Sequence, residues 1–124
     1  MHDITPPEVL RQNSVTIIRP GENYASLYEK MLENLTCIQQ LSQFATPPYI
    51  VVDLQHVKFI GSAFLGLMVT TYKTTTARES GRFALCGLNT FCQTAISILK
   101  LENVIEIFDT ADDAVRAFTA DFRR

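Results

Sequence analysis

The chain has 124 residues, 47% hydrophobic and 19% charged, which is a globular composition of single-domain size and excludes a disordered one. Eleven basic side chains against thirteen acidic ones leave a net charge of -2 with no Lys/Arg cluster, so no nucleic-acid partner is expected. No stretch has the continuous apolar length of a membrane span, and Met1-His2-Asp3 lacks the basic and apolar regions of a signal peptide; a cytoplasmic protein without a membrane partner is expected.

Residues 1–13 hold Pro6-Pro7 and no clear period, and read as an N-terminal tail or an edge strand, with the domain proper over 14–124. Residues 15–18 are a short β-branched run that Pro20-Gly21 ends. Tyr24, Leu27, Tyr28, Met31, Leu35, Ile38 and Leu41 then recur in steps of three and four, which predicts an amphipathic helix. Thr46-Pro47-Pro48 stops it and launches Tyr49-Ile50-Val51-Val52-Asp53-Leu54, an apolar run suited to a strand covered on both faces.

Beyond a loop through His56-Val57-Lys58, the stripe Leu65, Met68, Val69 and Tyr72 predicts a second helix, ended by Gly81. Its five threonines between Thr70 and Thr76 are poor helix formers, so packing has to hold it. Residues 82–88 read as the next strand. Asn89 or Thr90 can cap a helix carrying Ala95, Ile96 and Leu99. Residues 104–108 form another strand, and Thr110 caps a last helix with Asp112 and Asp113 in its first turn and Arg123-Arg124 at its end, both favourable to the helix dipole. Alternation of this kind predicts one α/β domain. Its mostly parallel or mixed sheet has four or five strands packed with about four helices, one face less covered than the other. Sites in such folds gather where strand ends run into helix starts, which selects two loops, residues 55–62 and 88–90.

In the first loop, Phe59-Ile60-Gly61-Ser62-Ala63-Phe64-Leu65-Gly66, Ser62 stands where a helix begins. Two roles follow from that position. Its hydroxyl can cap the helix; or the free N–H groups and positive dipole end can tolerate a phosphate on it, with Gly61 allowing another protein close approach.

Residues 49–68 resemble the STAS domain of bacterial anti-sigma factor antagonists, in which an apolar strand ending in Asp-Leu or Asp-Phe is followed by Phe-Ile-Asp-Ser-Ser-Gly-Leu-Gly opening a helix. The likeness continues through Gly81-Arg82-Phe83-Ala84-Leu85-Cys86-Gly87-Leu88-Asn89 and the Ile107-Phe108-Asp109-Thr110 turn, and covers about 49–122. It implies a STAS-like fold and a regulatory protein-binding module rather than an enzyme. The partners implied are an anti-sigma factor serine kinase, which phosphorylates the antagonist and binds only its unphosphorylated form, and a phosphatase that resets it. Ser62 falls on the phosphorylated serine; His56, Lys58, Gly61, Ala63, Phe64, Asn89 and Thr90 are expected on the partner face around it, with packing into the core the equal alternative for Phe64. The chain departs from the motif at Gly61, where an acidic residue is usual, and at Phe64, where glycine is. The amino-terminal half also lacks the usual first hairpin with its Gly-x-Leu/Ile-Asp signature. The alternative is a divergent STAS scaffold or small-ligand sensor that no longer cycles phosphate.

Other chemistry finds less support. Asp53 at a strand end invites comparison with a response-regulator phosphoacceptor, but Arg19-Pro20-Gly21-Glu22 offers one carboxylate where Mg²⁺ needs an acidic pair; Asp53 reads as a brace for its own loop. His56 has no triad neighbours, and Gly61 with Gly66 makes no P-loop. Cys37, Cys86 and Cys92, spaced 49 and 6 apart, lack metal-ligand spacing and read as reduced, buried hydrophobes. No cofactor is expected, and no base, metal set or cofactor motif supports an enzyme built on Ser62 or Cys86.

Overall fold

The computed structural model describes residues 7–21, 26–27 and 35–120. Its main sheet contains β1 (Glu8–Gln12), β2 (Val15–Arg19), β4 (Tyr49–Asp53), β6 (Arg82–Cys86) and β7 (Glu106–Phe108), in the order β1-β2-β4-β6-β7. β1 runs antiparallel to β2, and the other neighbours are parallel. A separate pair joins β3 (Ser26–Leu27) to β5 (Phe59–Ile60). The described residues also form four α-helices: α1 (Thr36–Phe44), α2 (Ser62–Thr76), α3 (Thr90–Ile98) and α4 (Ala111–Ala120). The expected α/β domain, with a mixed five-stranded sheet and four helices, is what forms.

The apolar run of β4 explains the layering. Ile50 and Val52 face a core shared with Leu35 and Ile38 of α1, Phe64 and Met68 of α2, and Ile96 of α3. Tyr49 and Val51 face the other side, where α4 supplies Ala114, Val115 and Phe118. Every residue of β4 is buried, as period-two alternation between two covered faces requires. One face therefore carries three helices and the other α4. No helix among the described residues is long and apolar enough to cross a membrane.

Several local readings need correction. Glu8–Gln12 and Val15–Arg19 do form a hairpin, closed by Asn13 and Ser14 with φ of 51° and 71°. These are the positive dihedrals of a two-residue hairpin turn, supplied by Asn-Ser instead of the more recognisable Asn-Gly. The helix read from Tyr24 to Leu41 is described only from Thr36, and Leu27 belongs to β3, where pairing with Phe59–Ile60 overrides the local period. Tyr24, Tyr28 and Met31 lie outside the described residues, as do Phe122, Arg123 and Arg124. β6 stops at Cys86 because Gly87 turns to a φ of +72°. Residues 101–103 form a 3₁₀ turn, which delays β7 to Glu106.

In α2 the buried stripe is Phe64, Leu65, Met68, Thr71 and Thr75, with Val69 and Tyr72 only partly covered. The threonines can be buried because each hydroxyl donates to a carbonyl one turn back: Thr71 Oγ1 to Leu67 O at 2.7 Å and Thr75 Oγ1 to Thr71 O at 2.8 Å. α2 ends at Thr76, and a turn over residues 77–80 separates it from Gly81.

Phe64 and Phe59 test this arrangement. Phe64→Ala leaves a void among α2, β4 and β6 and should lower the free energy of unfolding by about 3–5 kcal/mol. Phe59→Ala, at an exposed position, should change it by no more than about 1 kcal/mol. Urea titration of both variants checks the contrast.

Candidate functional site

The carboxylate of Asp53, 3% exposed at the end of β4, organises the loop that follows. Oδ1 accepts from the Gln55 backbone N–H at 3.1 Å, and Oδ2 accepts from Arg19 Nε at 2.8 Å and Gln55 Nε2 at 3.1 Å. Arg19 also donates to Glu8 at 3.0 Å, so one guanidinium joins β1, β2 and β4. Burial alone would lower the Arg19 pKa, but the hydrogen bonds and charges of Asp53 and Glu8 outweigh it and hold the group above its usual value. With both oxygens occupied, Asp53 braces the loop and is not presented as a phosphoacceptor. Gly87 is needed beside it: a Cβ there would lie 2.7 Å from Asp53 Oδ1, at a φ that L side chains rarely adopt.

The loop then turns through Val57, whose N–H donates to Leu54 O at 2.9 Å and whose side chain is buried. Asn89 holds its far end. Asn89 Nδ2 donates to Lys58 O at 3.0 Å while Oδ1 accepts from Cys92 N at 2.8 Å, capping α3. One side chain thus fixes both candidate loops to each other. β5 follows, and α2 begins.

Gly61, at φ -97° and ψ 172°, occupies the N-cap of α2, and its carbonyl accepts from Leu65 N at 3.1 Å. Ser62 is therefore the first helical residue, exposed and one position past the cap, which corrects the capping reading of its hydroxyl. Lys58, His56, Ala63, Asn89 and Thr90 are exposed, and Gly61 is half-buried. Phe64 is a second correction: at 0% exposure it fills the core and offers nothing to a partner, because the third position of this helix points to the sheet.

Two aromatic residues absent from the expected set are exposed instead. Phe59 and Phe91 are 50% and 53% exposed and meet edge to face, with centroids 4.9 Å apart, joining β5 to α3. Phe91 precedes buried Cys92 on a short helix, and that phase was the available signal for its outward direction.

Two open crevices lie near the strand ends. One, of about 200 Å³, is lined by Arg19, Asp53, Gln55, Asp109, Thr110 and Asp112; the other, of about 280 Å³, by Leu88, Gln93, Ile96, Glu102 and Ile107. Among the described residues no three His, Cys, Asp or Glu side chains are grouped to hold a metal. The cysteines are free thiols. Burial raises the pKa of all three, and in Cys86 the charge and hydrogen bond of Asp53 raise it further.

The sequence matches the family model described as STAS domain over residues 7–114. The fold is similar to that of an anti-sigma-factor antagonist (STAS) domain protein from Planctomyces limnophilus, with a TM-score of 0.85 and 25% identity, covering 94% of this chain and 99% of that one. It is also similar to an anti-sigma factor antagonist from Mycobacterium paratuberculosis, with a TM-score of 0.79 and 21% identity over 90% of this chain and 92% of that one. No curated protein matches the sequence.

Asp53→Ala should destabilise the domain by about 2–4 kcal/mol, since it strands a partly buried guanidinium and the Gln55 N–H together; denaturant titration measures this. The thiols set an alkaline dependence. Their folded pKa values lie above the ordinary 9.0, so their contribution is complete below about pH 9. It is lost as the pH rises, because the unfolded chain then releases protons that the folded chain keeps. For Cys86, where the rise is largest, the slope approaches about 1.4 kcal/mol per pH unit. Unfolding free energy measured from pH 9 to 10.5 should fall less steeply in Cys86→Ala.

Proposed function

Because the chain belongs to the STAS domain family, we propose that it is an anti-sigma factor antagonist, a binding module that captures an anti-sigma serine kinase and is released when that kinase phosphorylates Ser62. The observation that carries this reading is the position of Ser62: exposed, in the first turn of α2, with the cap already filled by Gly61. A phosphate there meets the free N–H groups and positive dipole of a helix start, so it does not disturb the fold. Its effect falls on the complex. A charge near −2 about 5 Å from a partner carboxylate, at an effective dielectric constant of about 20, meets roughly 6 kcal/mol of repulsion before screening. A third of that, about 2 kcal/mol, lowers affinity some thirtyfold. A phosphatase acting on the exposed phosphoserine restores the binding form.

The test pairs the protein with the histidine-kinase-like ATPases of its own genome. Incubation with ATP should place one phosphate on Ser62, read by phosphopeptide mapping. Ser62→Ala should fold within about 0.5 kcal/mol of wild type, since no cap is lost, and should bind constitutively. Ser62→Asp should fold and bind about thirtyfold more weakly. Label on another residue, or wild-type affinity in Ser62→Asp, would overturn the switch and favour a STAS scaffold without phosphate cycling.

A further inference from the structure

The exposed apolar surface continues beyond Ser62 along one flank of α3. Cys92 and Ile96 anchor this helix in the core, and Gln93 and Ser97 line the crevice toward β7. The opposite flank carries Phe91, Ala95 and Ile98 at i, i+4 and i+7, with Ile98 74% exposed. That stripe spans about 10 Å, two helical turns, and Phe59 lengthens it across the loop through its contact with Phe91. Ala95 is half-buried against the core, so the exposed part of the stripe is Phe91 and Ile98, two large apolar side chains two turns apart on one outer face, which marks a contact surface.

Charge decides what it contacts. No residue of α3 is ionisable except Cys92, whose thiol is buried. Lys58, whose carbonyl Asn89 holds, lies at its N-terminal end, and Lys100 follows its C-terminal end. Glu102 lies on the other flank, in the crevice with Gln93 and Ser97. A second copy would set cation against cation whether the two α3 helices ran parallel or antiparallel. We propose that the Phe91–Ala95–Ile98 flank of α3, extended by Phe59, docks an amphipathic helix of the partner whose apolar stripe is flanked by carboxylates. This rests on the reading of Ser62 as a binding switch and adds the chemistry of what is bound. Helix-on-helix packing suits an exposed two-turn stripe, and a carboxylate drawn to Lys58 comes to the loop that carries Ser62, where an added phosphate repels it.

The probe is a stapled helical peptide with Leu at i, i+4 and i+7 and Glu at both ends, compared with the same peptide carrying Lys at its ends. The Glu peptide should bind saturably and shift the amide resonances of Phe91, Ala95 and Ile98. Phe91→Ala and Ile98→Ser should each weaken it about tenfold, as hot-spot truncations do. Lys58→Glu with Lys100→Glu should reverse the preference between the two peptides. Circular dichroism and denaturant midpoints confirm that these surface variants fold. Equal binding of both peptides, shifts confined to other faces, or no binding at millimolar concentration would overturn the proposal. So would either competing occupant: sedimentation with phosphatidylcholine–phosphatidylglycerol vesicles but no binding of the Glu peptide, or a dimer that Ile98→Ser dissolves. The two readings fail separately. If the peptide docks on α3 while Ser62→Asp leaves kinase binding intact, only the switch falls. If Ser62→Asp releases the kinase while Phe91→Ala and Ile98→Ser do not weaken it, only the α3 docking falls.

Discussion

A carboxylate placed between two hydrophobic layers is costly unless its hydrogen bonds are filled, and Asp53 is where this domain meets that condition. Its neighbours in the sheet are Ile18-Arg19 at the end of β2 and Cys86 at the end of β6, with apolar cores above and below. Arg19 supplies the counter-charge and reaches on to Glu8, so the edge strand is tied to the centre through side chains as well as backbone. Gln55 fills the remaining positions with a backbone and a side-chain donor. The geometry leaves no room for a Cβ at Gly87. The first residues after β4 are thus set by the need to satisfy one buried charge, and the direction in which the chain leaves the sheet follows from it.

That direction is secured again at the far end of the loop by Asn89, which caps α3 and holds the Lys58 carbonyl at once. With both ends held, the start of α2 is divided cleanly. Ile60 and Phe64 go inward, and Ser62 and Ala63 go outward. A group attached to Ser62 is therefore added to a surface the fold does not use. The N-cap position falls to Gly61, which has no side chain to cap with, so the Ser62 hydroxyl is not tied to helix stability.

The central parallel strands and the helices between them were readable because their patterns are long and their faces consistently buried. β4 is the clearest case, five residues with no exposed position. Asn89 and Thr110 could be recognised as caps from their place before apolar helices, and both hydroxyl or amide groups accept from the first turn. What escaped is short or depends on distant partners. The two-residue strands β3 and β5 have no period of their own, and only pairing with each other defines them. The Asn13-Ser14 turn carries a weaker signal than Asn-Gly. Thr71 and Thr75 are polar by composition but self-satisfied in the helix, so a hydrophobic stripe overlooks them. Of three phenylalanines near the candidate site, Phe64 is buried while Phe59 and Phe91 are exposed. The identity of the side chain does not separate these cases; the phase of a two-residue strand and of a short helix does.

The same geometry bears on the departure at Gly61. An acidic residue there would set a carboxylate next to the modified serine, so that a phosphate on Ser62 would meet repulsion inside its own domain. In this chain the first turn of α2 holds no acidic residue, and Lys58 lies upstream on the same connection. The dipole and the free N–H groups favour a negative charge at Ser62. A phosphate is then accommodated locally, and its unfavourable interactions are confined to whatever carboxylates a partner brings to the face. With Gly61 filling the cap and Phe64 turned into the core, what remains exposed beside the serine is an apolar pair, Phe59 and Phe91, next to cationic Lys58. On the proposed reading, such a face would supply attraction through aromatic surface and control through a single charge.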